Sequence, residues 1–180
     1  SKLRELIAND VDWRAVLKKF CGMSRRGTRT TSWTRLNRKY AGLTAGVKRG
    51  YTSSIAVYID QSGSVSNSDL EIAFANLRSL AKRTEFTTFH FDTSIDESSE
   101  TSWRSGKTPE VHRTRCGGTD FECVTKHANQ NKHRFDGYII ITDGEAPKPS
   151  SSRLKRGWLL VPKTNLLFTP DTRDFVMSMK

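Results

Sequence analysis

Cysteine, proline and long apolar runs are all scarce in this 180-residue chain. Cys21, Cys116 and Cys123 are odd in number and widely spaced. They supply neither a disulfide framework nor a Cys-x-x-Cys zinc site, and free thiols in a reducing compartment are the expectation. The longest apolar stretches, such as Tyr138–Ile141 and Trp158–Val161, are strand-sized, so no membrane span and no membrane partner is expected. The charged-then-apolar pattern of a signal peptide is missing at the start. The chain begins at Ser1 and not at Met, as expected of a fragment or a processed product. Neither internal repeats nor low-complexity tracts occur. His90, His112, His127 and His133 lack the His-Glu-x-x-His spacing, so zinc hydrolysis is not expected to reside here. What remains is 35% apolar and long enough for one domain with a sizeable core and an arm.

Acidic residues are also missing from one region. Residues 1–53 carry 13 basic and 3 acidic side chains, whereas residues 54–180 carry 17 and 16. Between Arg14 and Arg49 there is no acidic residue. The expected organisation is therefore a basic N-terminal helix and extended arm, residues 1–53, joined to a nearly neutral body, residues 54–180. Arg25, Arg26, Arg29, Arg35, Arg38 and Lys39 are candidate contacts for an anion or a nucleic acid. Trp33 and Tyr40 lie among them and could stack on bases. Packing of the same residues against the body's carboxylates is the equal alternative.

Leu3, Leu6, Ile7, Val11, Val16, Leu17 and Phe20 recur at near-helical spacing and predict a helix over Lys2–Phe20. Gly22–Gly50 reads as an extended arm that could include a short hairpin. Ser54–Ile59 predicts a buried strand. Ser66 and Asp69 have the spacing of a capping box, ahead of a helix with Leu70, Phe74, Leu77 and Leu80 on one face. Further strands are predicted at Glu85–Phe91, Ile95–Trp103, around Val111, and at Asp136–Thr142. Asp120–Asn131 predicts a second helix in the body. Gly157–Val161 is expected to be the last strand, followed by an extended tail. Strands alternating with helices predict an α/β, Rossmann-like open sheet, mostly parallel and flanked by helices. Sites on such sheets form in the loops at the carboxyl ends of the strands.

Three polar segments are expected at those ends: Asp60–Ser64, Gly117–Asp120 and Asp143-Gly144. Asp60, Ser62 and Ser64 place a carboxylate and two hydroxyls at alternate positions, which converge if the loop curls. Thr119 adds a hydroxyl from a Gly-Gly-Thr turn, and Asp143 adds a second carboxylate. All are hard oxygen donors of the kind that suits Mg²⁺, with Mn²⁺ equally accommodated. Two carboxylates, three hydroxyls and waters leave a position that a partner's Asp or Glu could fill. Each piece alone is ordinary turn chemistry; their joint order at strand ends gives them weight. Asp92 is a candidate to support the site by hydrogen bonding, and Asp120 a candidate helix cap.

Asp60–Val65, Gly117–Phe121 and Ile141–Gly144 together resemble the von Willebrand factor A (VWA) fold and its metal-ion-dependent adhesion site. The resemblance is closer to the VWA-like domain at the C-terminus of bacterial and phage metallopeptidase-like proteins. It extends to Asp12-Trp13-Arg14, to Ser32–Tyr40 and to Phe91-Asp92. Leu36 stands where that group leads one to expect Pro, and Cys116 where a third Gly is common. The resemblance implies Asp60, Ser62 and Ser64 as ligands from the first loop and Thr119 from the second. Asp143 would act directly or through water. It further implies a non-enzymatic, Mg²⁺-dependent protein-binding module in the cytoplasm of a bacterial or phage-infected cell, working as an adaptor beside an AAA+ ATPase.

Two other readings compete. A nucleic-acid-binding protein would use the basic arm, with affinity falling steeply in salt. A metal-dependent phosphoesterase would use Asp60 as nucleophile, but Ser62 stands where such sites carry a second Asp. No nucleophile–base pair is evident in the sequence.

Overall fold

The computed structural model describes residues 27–36, 45–51, 54–82, 84–104 and 117–179. The helix predicted over Lys2–Phe20 and the strand predicted around Val111 lie outside these residues, as do Cys21 and Cys116. Within the predicted arm, β1 (Gly27–Leu36) and β2 (Ala45–Tyr51) form an antiparallel pair, with a register irregularity between Ser32 and Leu36. Arg29, Trp33 and Arg35 stand on β1, and Arg29 is in register with Arg49 of β2. Arg25, Arg26, Arg38, Lys39 and Tyr40 lie outside the described residues.

The body is a six-stranded sheet built from β3 (Ile55–Asp60), β4 (Phe86–Phe91), β5 (Ile95–Trp103), β6 (Gly137–Thr142), β7 (Lys155–Leu160) and β8 (Phe175–Ser178). Their spatial order is β5-β4-β3-β6-β7-β8. Every neighbouring pair is parallel except β4–β5, which is antiparallel and closes one edge. Gly157–Val161 is therefore not part of the last strand. The tail returns to the sheet and adds β8 beside β7.

Alternation along β3 sorts the core into two layers, because successive side chains of a strand point to opposite faces. Ile55, Val57 and Ile59 join Ile139, Ile141 and Leu159 on one face. They are covered there by Leu70, Ala73, Leu77 and Leu80 of helix α1 (Asn67–Ala81). Ala56 and Tyr58 join Phe89, Phe91, Tyr138, Ile140 and Trp158 on the other, covered by Phe121, Val124 and Ala128 of helix α2 (Phe121–Gln130). All six residues of β3 are buried, which is why it reads as a near-continuous apolar run.

Both helices start where their sequence says they should. Ser66 Oγ accepts the Asp69 N–H at 3.2 Å, and the Ser66 N–H donates to Asp69 Oδ2 at 3.3 Å, completing the capping box of α1. Asp120 Oδ1 accepts the Glu122 N–H at 2.8 Å and caps α2.

The C-terminal segment is held by a charge cluster at the amino end of β7. Arg156 is fully buried. Its Nε donates to Asp174 Oδ2 at 2.8 Å and its Nη2 to Asp171 Oδ2 at 3.1 Å. Nη1 donates to Thr125 Oγ1 and to the Ser150 oxygen, at 3.2 and 3.0 Å. The guanidinium also lies 5.2 Å from the Trp158 ring. Phe175 of β8 then enters the core over Gly157, where an added Cβ would stand 2.2 Å from the Phe175 ring.

Candidate metal centre

The chain passes from β3 to β4 on one side of the sheet and reaches β6 on the other. The carboxyl ends of β3 and β6 thus flank a reversal of strand order, where open α/β sheets form their crevices. Asp60 ends β3, and Thr142 ends β6 with Asp143 following.

The Asp60 loop curls as its spacing predicts. Asp60 Oδ1 accepts the Ser62 N–H at 2.9 Å, and the Ser62 and Ser64 hydroxyls lie 3.1 Å apart. Asp60 and Ser62 are buried while Gly63 and Ser64 are exposed, so the loop opens to solvent at its tip.

Thr142 joins the two carboxylates, and the sequence reading missed it. Its hydroxyl donates to Asp60 Oδ2 at 2.6 Å and stands 3.4 Å from Asp143 Oδ1. The same oxygen accepts the Gly144 N–H at 3.1 Å. Thr142 is fully buried, and its place at the end of an apolar strand was the available signal. One hydroxyl proton thus serves two acidic groups that face each other across the crevice.

The second loop is fastened beside the first. The Gly63 N–H donates to the Gly117 oxygen at 3.2 Å, and the Asp120 N–H to the Asp92 oxygen at 2.9 Å. Thr119 lies between these two anchors and is half-buried. A Cβ on Gly117 would stand 3.0 Å from Asp92 Oδ2, so a larger residue in this turn would press on the Asp92 carboxylate. Asp92 is buried and bonds its own loop, with Oδ1 accepting the Ser94 N–H at 3.1 Å. Asp92 and Asp120 are thus at the site, Asp92 through its backbone oxygen and Asp120 through its cap. No three His, Cys, Asp or Glu side chains gather as a possible metal site among the described residues. The donors that do gather are two carboxylates and serine hydroxyls.

The electrostatics are unbalanced. Burial pushes the Asp60 carboxyl above its usual range, opposed by its hydrogen bonds from Thr142 and Ser62 and reinforced by Asp143. Asp143 is 4% exposed; its Oδ1 accepts the Glu145 N–H at 3.0 Å, and its Oδ2 has no hydrogen-bond partner among the described residues. A buried carboxylate oxygen left in this state is costly. A hard cation is the group that this donor chemistry fits. Cys123, the one described thiol, is unsuited to soft-metal chemistry. Burial pushes its pKa up to about 12, and its Sγ–H donates to the Asp120 oxygen at 3.0 Å.

No described helix is long and apolar enough to cross a membrane. A protein of Thermotoga maritima described as uncharacterised is 28% identical over 146 residues, covering 80% of this chain and 36% of that protein. The chain thus spans little more than a third of that relative. Two solved structures were also matched. An aerotolerance-related membrane protein from Bacteroides fragilis has TM-score 0.46 and 16% identity, covering 66% of this chain and 75% of that one. The ArnB paralog VWA2 from Sulfolobus acidocaldarius has TM-score 0.46 and 18% identity, covering 62% and 35%. The model of the VWA-like domain (DUF2201) matches residues 55–168, a span that runs from β3 past β7 and takes in every candidate ligand. VWA-like domains are typically interaction modules. On this match the chain belongs to the VWA-like domain family DUF2201.

Proposed function

We propose that the chain is a metal-ion-dependent protein-binding module. Asp60, Ser62 and Ser64 would hold Mg²⁺, or Mn²⁺ in its place, together with Thr119 and Asp143. The cation would supply a charged, incompletely filled coordination shell to which an acidic side chain of a protein partner can bind. The observation that carries this reading is the buried Oδ2 of Asp143, which has no hydrogen-bond partner among the described residues, beside a second buried carboxylate. The partner is proposed to belong to an AAA+ remodelling system in the cytoplasm, an extension that rests on family likeness alone.

Asp60 is poorly placed to act as a free nucleophile. Both of its carboxylate oxygens already accept hydrogen bonds, from the Ser62 N–H and the Thr142 hydroxyl. The basic segment 1–53 favours nucleic acid as a second reading. That reading expects oligonucleotide affinity to fall linearly with salt on logarithmic axes.

Calorimetric titration of Mg²⁺ and Mn²⁺ into the wild type and Asp60→Ala tests the metal site. Binding by the wild type that vanishes in the variant is the expected result. Equal heats for the two proteins would refute it.

A further inference from the structure

The loop after β7 reaches the candidate site without adding a ligand to it. Gly144, next to Asp143, has φ of +87°, and a Cβ there would stand 2.7 Å from the Asn165 backbone oxygen. The Leu167 N–H donates to the Gly144 oxygen at 3.3 Å. On either side of Leu167, Leu166 and Phe168 pack against the core layer beneath α2. The Phe168 ring lies 5.3 Å from the Trp158 ring and 6.1 Å from that of Phe121. Phe121 opens α2 directly after Thr119 and Asp120. Residues 165–168 are thus fastened both to the Asp143 loop and to the helix that follows the Thr119 loop. Leu167, between two inward-turned neighbours, is 74% exposed, well above Val176, the other exposed large apolar residue described.

A lone exposed leucine is ordinary on a protein surface. This one is held, its own N–H bonded and both neighbours half-buried against the core, so presenting it to a partner requires little further ordering. We propose that Leu167 is the apolar half of a docking surface whose polar half is the Asp60 and Asp143 site. Its partner is a protein segment that carries a carboxylate next to an apolar side chain. The proposal rests on the metal-dependent reading above. Charge complementarity defines the polar half: two buried carboxylates call for a cation, and a cation with an open position calls for an anion. The leucine selects among anions. A nucleic-acid phosphate has no aliphatic group to set beside it, whereas a peptide carboxylate does. Interfaces that combine a desolvated apolar contact with a charged one gain selectivity from the pair.

A displayed library of short random peptides, selected against the full chain in Mg²⁺ and in EDTA, tests this. Leu167→Ser and Leu167→Met are run in parallel, both expected to fold because the side chain is exposed. Wild type and Leu167→Met in Mg²⁺ should enrich Asp or Glu adjacent to Leu, Ile, Phe or Met. Leu167→Ser should bind the enriched peptides about tenfold more weakly. Selection that needs Mg²⁺ but is indifferent to Leu167→Ser overturns the leucine assignment alone. Selection that survives EDTA overturns the metal-dependent reading beneath it. No enrichment by the wild type in Mg²⁺ overturns the docking surface.

Discussion

Two buried charge clusters occupy opposite ends of the same sheet, and they are built on opposite principles. At the amino end of β7, Arg156 is enclosed by Asp171, Asp174, Thr125 and the Ser150 carbonyl, and Asp174 also accepts the Trp158 indole N–H. Cation and anions answer one another there. At the carboxyl ends of β3 and β6, Asp60 and Asp143 share one threonine hydroxyl, and one carboxylate oxygen has no donor among the described residues. A closed cluster fixes the fold. An open one stores a cost that a ligand can relieve, which is why the second and not the first is read as the functional site.

The comparison can be broken most forcefully at the closed cluster. Arg156→Met leaves Asp174 buried without its cation, and stability in urea should fall by about 3–5 kcal/mol. A loss under about 1 kcal/mol would mean that the cluster is not structural. The open cluster should respond in the opposite sense. In EDTA, Asp143→Asn removes a repulsive charge beside Asp60 and should raise stability on the order of 1 kcal/mol. The same variant should lose the rise in melting temperature that Mg²⁺ gives the wild type by binding only the folded state. Destabilisation in EDTA with an intact Mg²⁺ response would place the two clusters in one class.

The smallest effect sharpens the contrast by lying in neither cluster. Burial holds His90 and His127 below their usual range. Between each folded value and the unfolded value near 6.5, the unfolded chain binds more protons. Their contribution is therefore present above that pH and is lost as pH falls below it. Urea midpoints compared above and below pH 6.5 should decline on the acid side as the two buried imidazoles become protonated. His127→Gln should reduce it, because His127 Nδ1 lies 2.8 Å from the Tyr58 hydroxyl on the α2 face. An unchanged pH response in that variant would assign the decline elsewhere.

The open cluster was largely legible in the sequence because its members are local to strand ends. Asp60, Ser62 and Ser64 follow a buried run, and Asp143 follows another. The Ser66–Asp69 capping box and the Asp120 cap were legible for the same reason. The closed cluster was not. Arg156 is buried by carboxylates 15 and 18 residues downstream, and no local pattern announces such compensation. The predicted strand began at Gly157, whereas the observed strand begins at Lys155 and includes the buried arginine. β8 escaped notice because four residues are too few to show a period. Thr142 was hidden within an apolar strand, and its role depends on Asp60, 82 residues earlier. Leu167 lies in a Leu-Leu-Phe run of the expected extended tail, and nothing local sets it apart from the two neighbours that turn inward.

The notch at Gly157 ties two distant codons together. Since the Phe175 ring occupies the space that any side chain at 157 would need, residue 157 cannot grow while the ring stays where it is. A lineage that acquires alanine at 157 must first or simultaneously shrink residue 175, and one that keeps the ring must keep the glycine. Paired substitution at these two sites would thus trace the ancestry of the eighth strand across relatives too diverged for their sequences to align by eye.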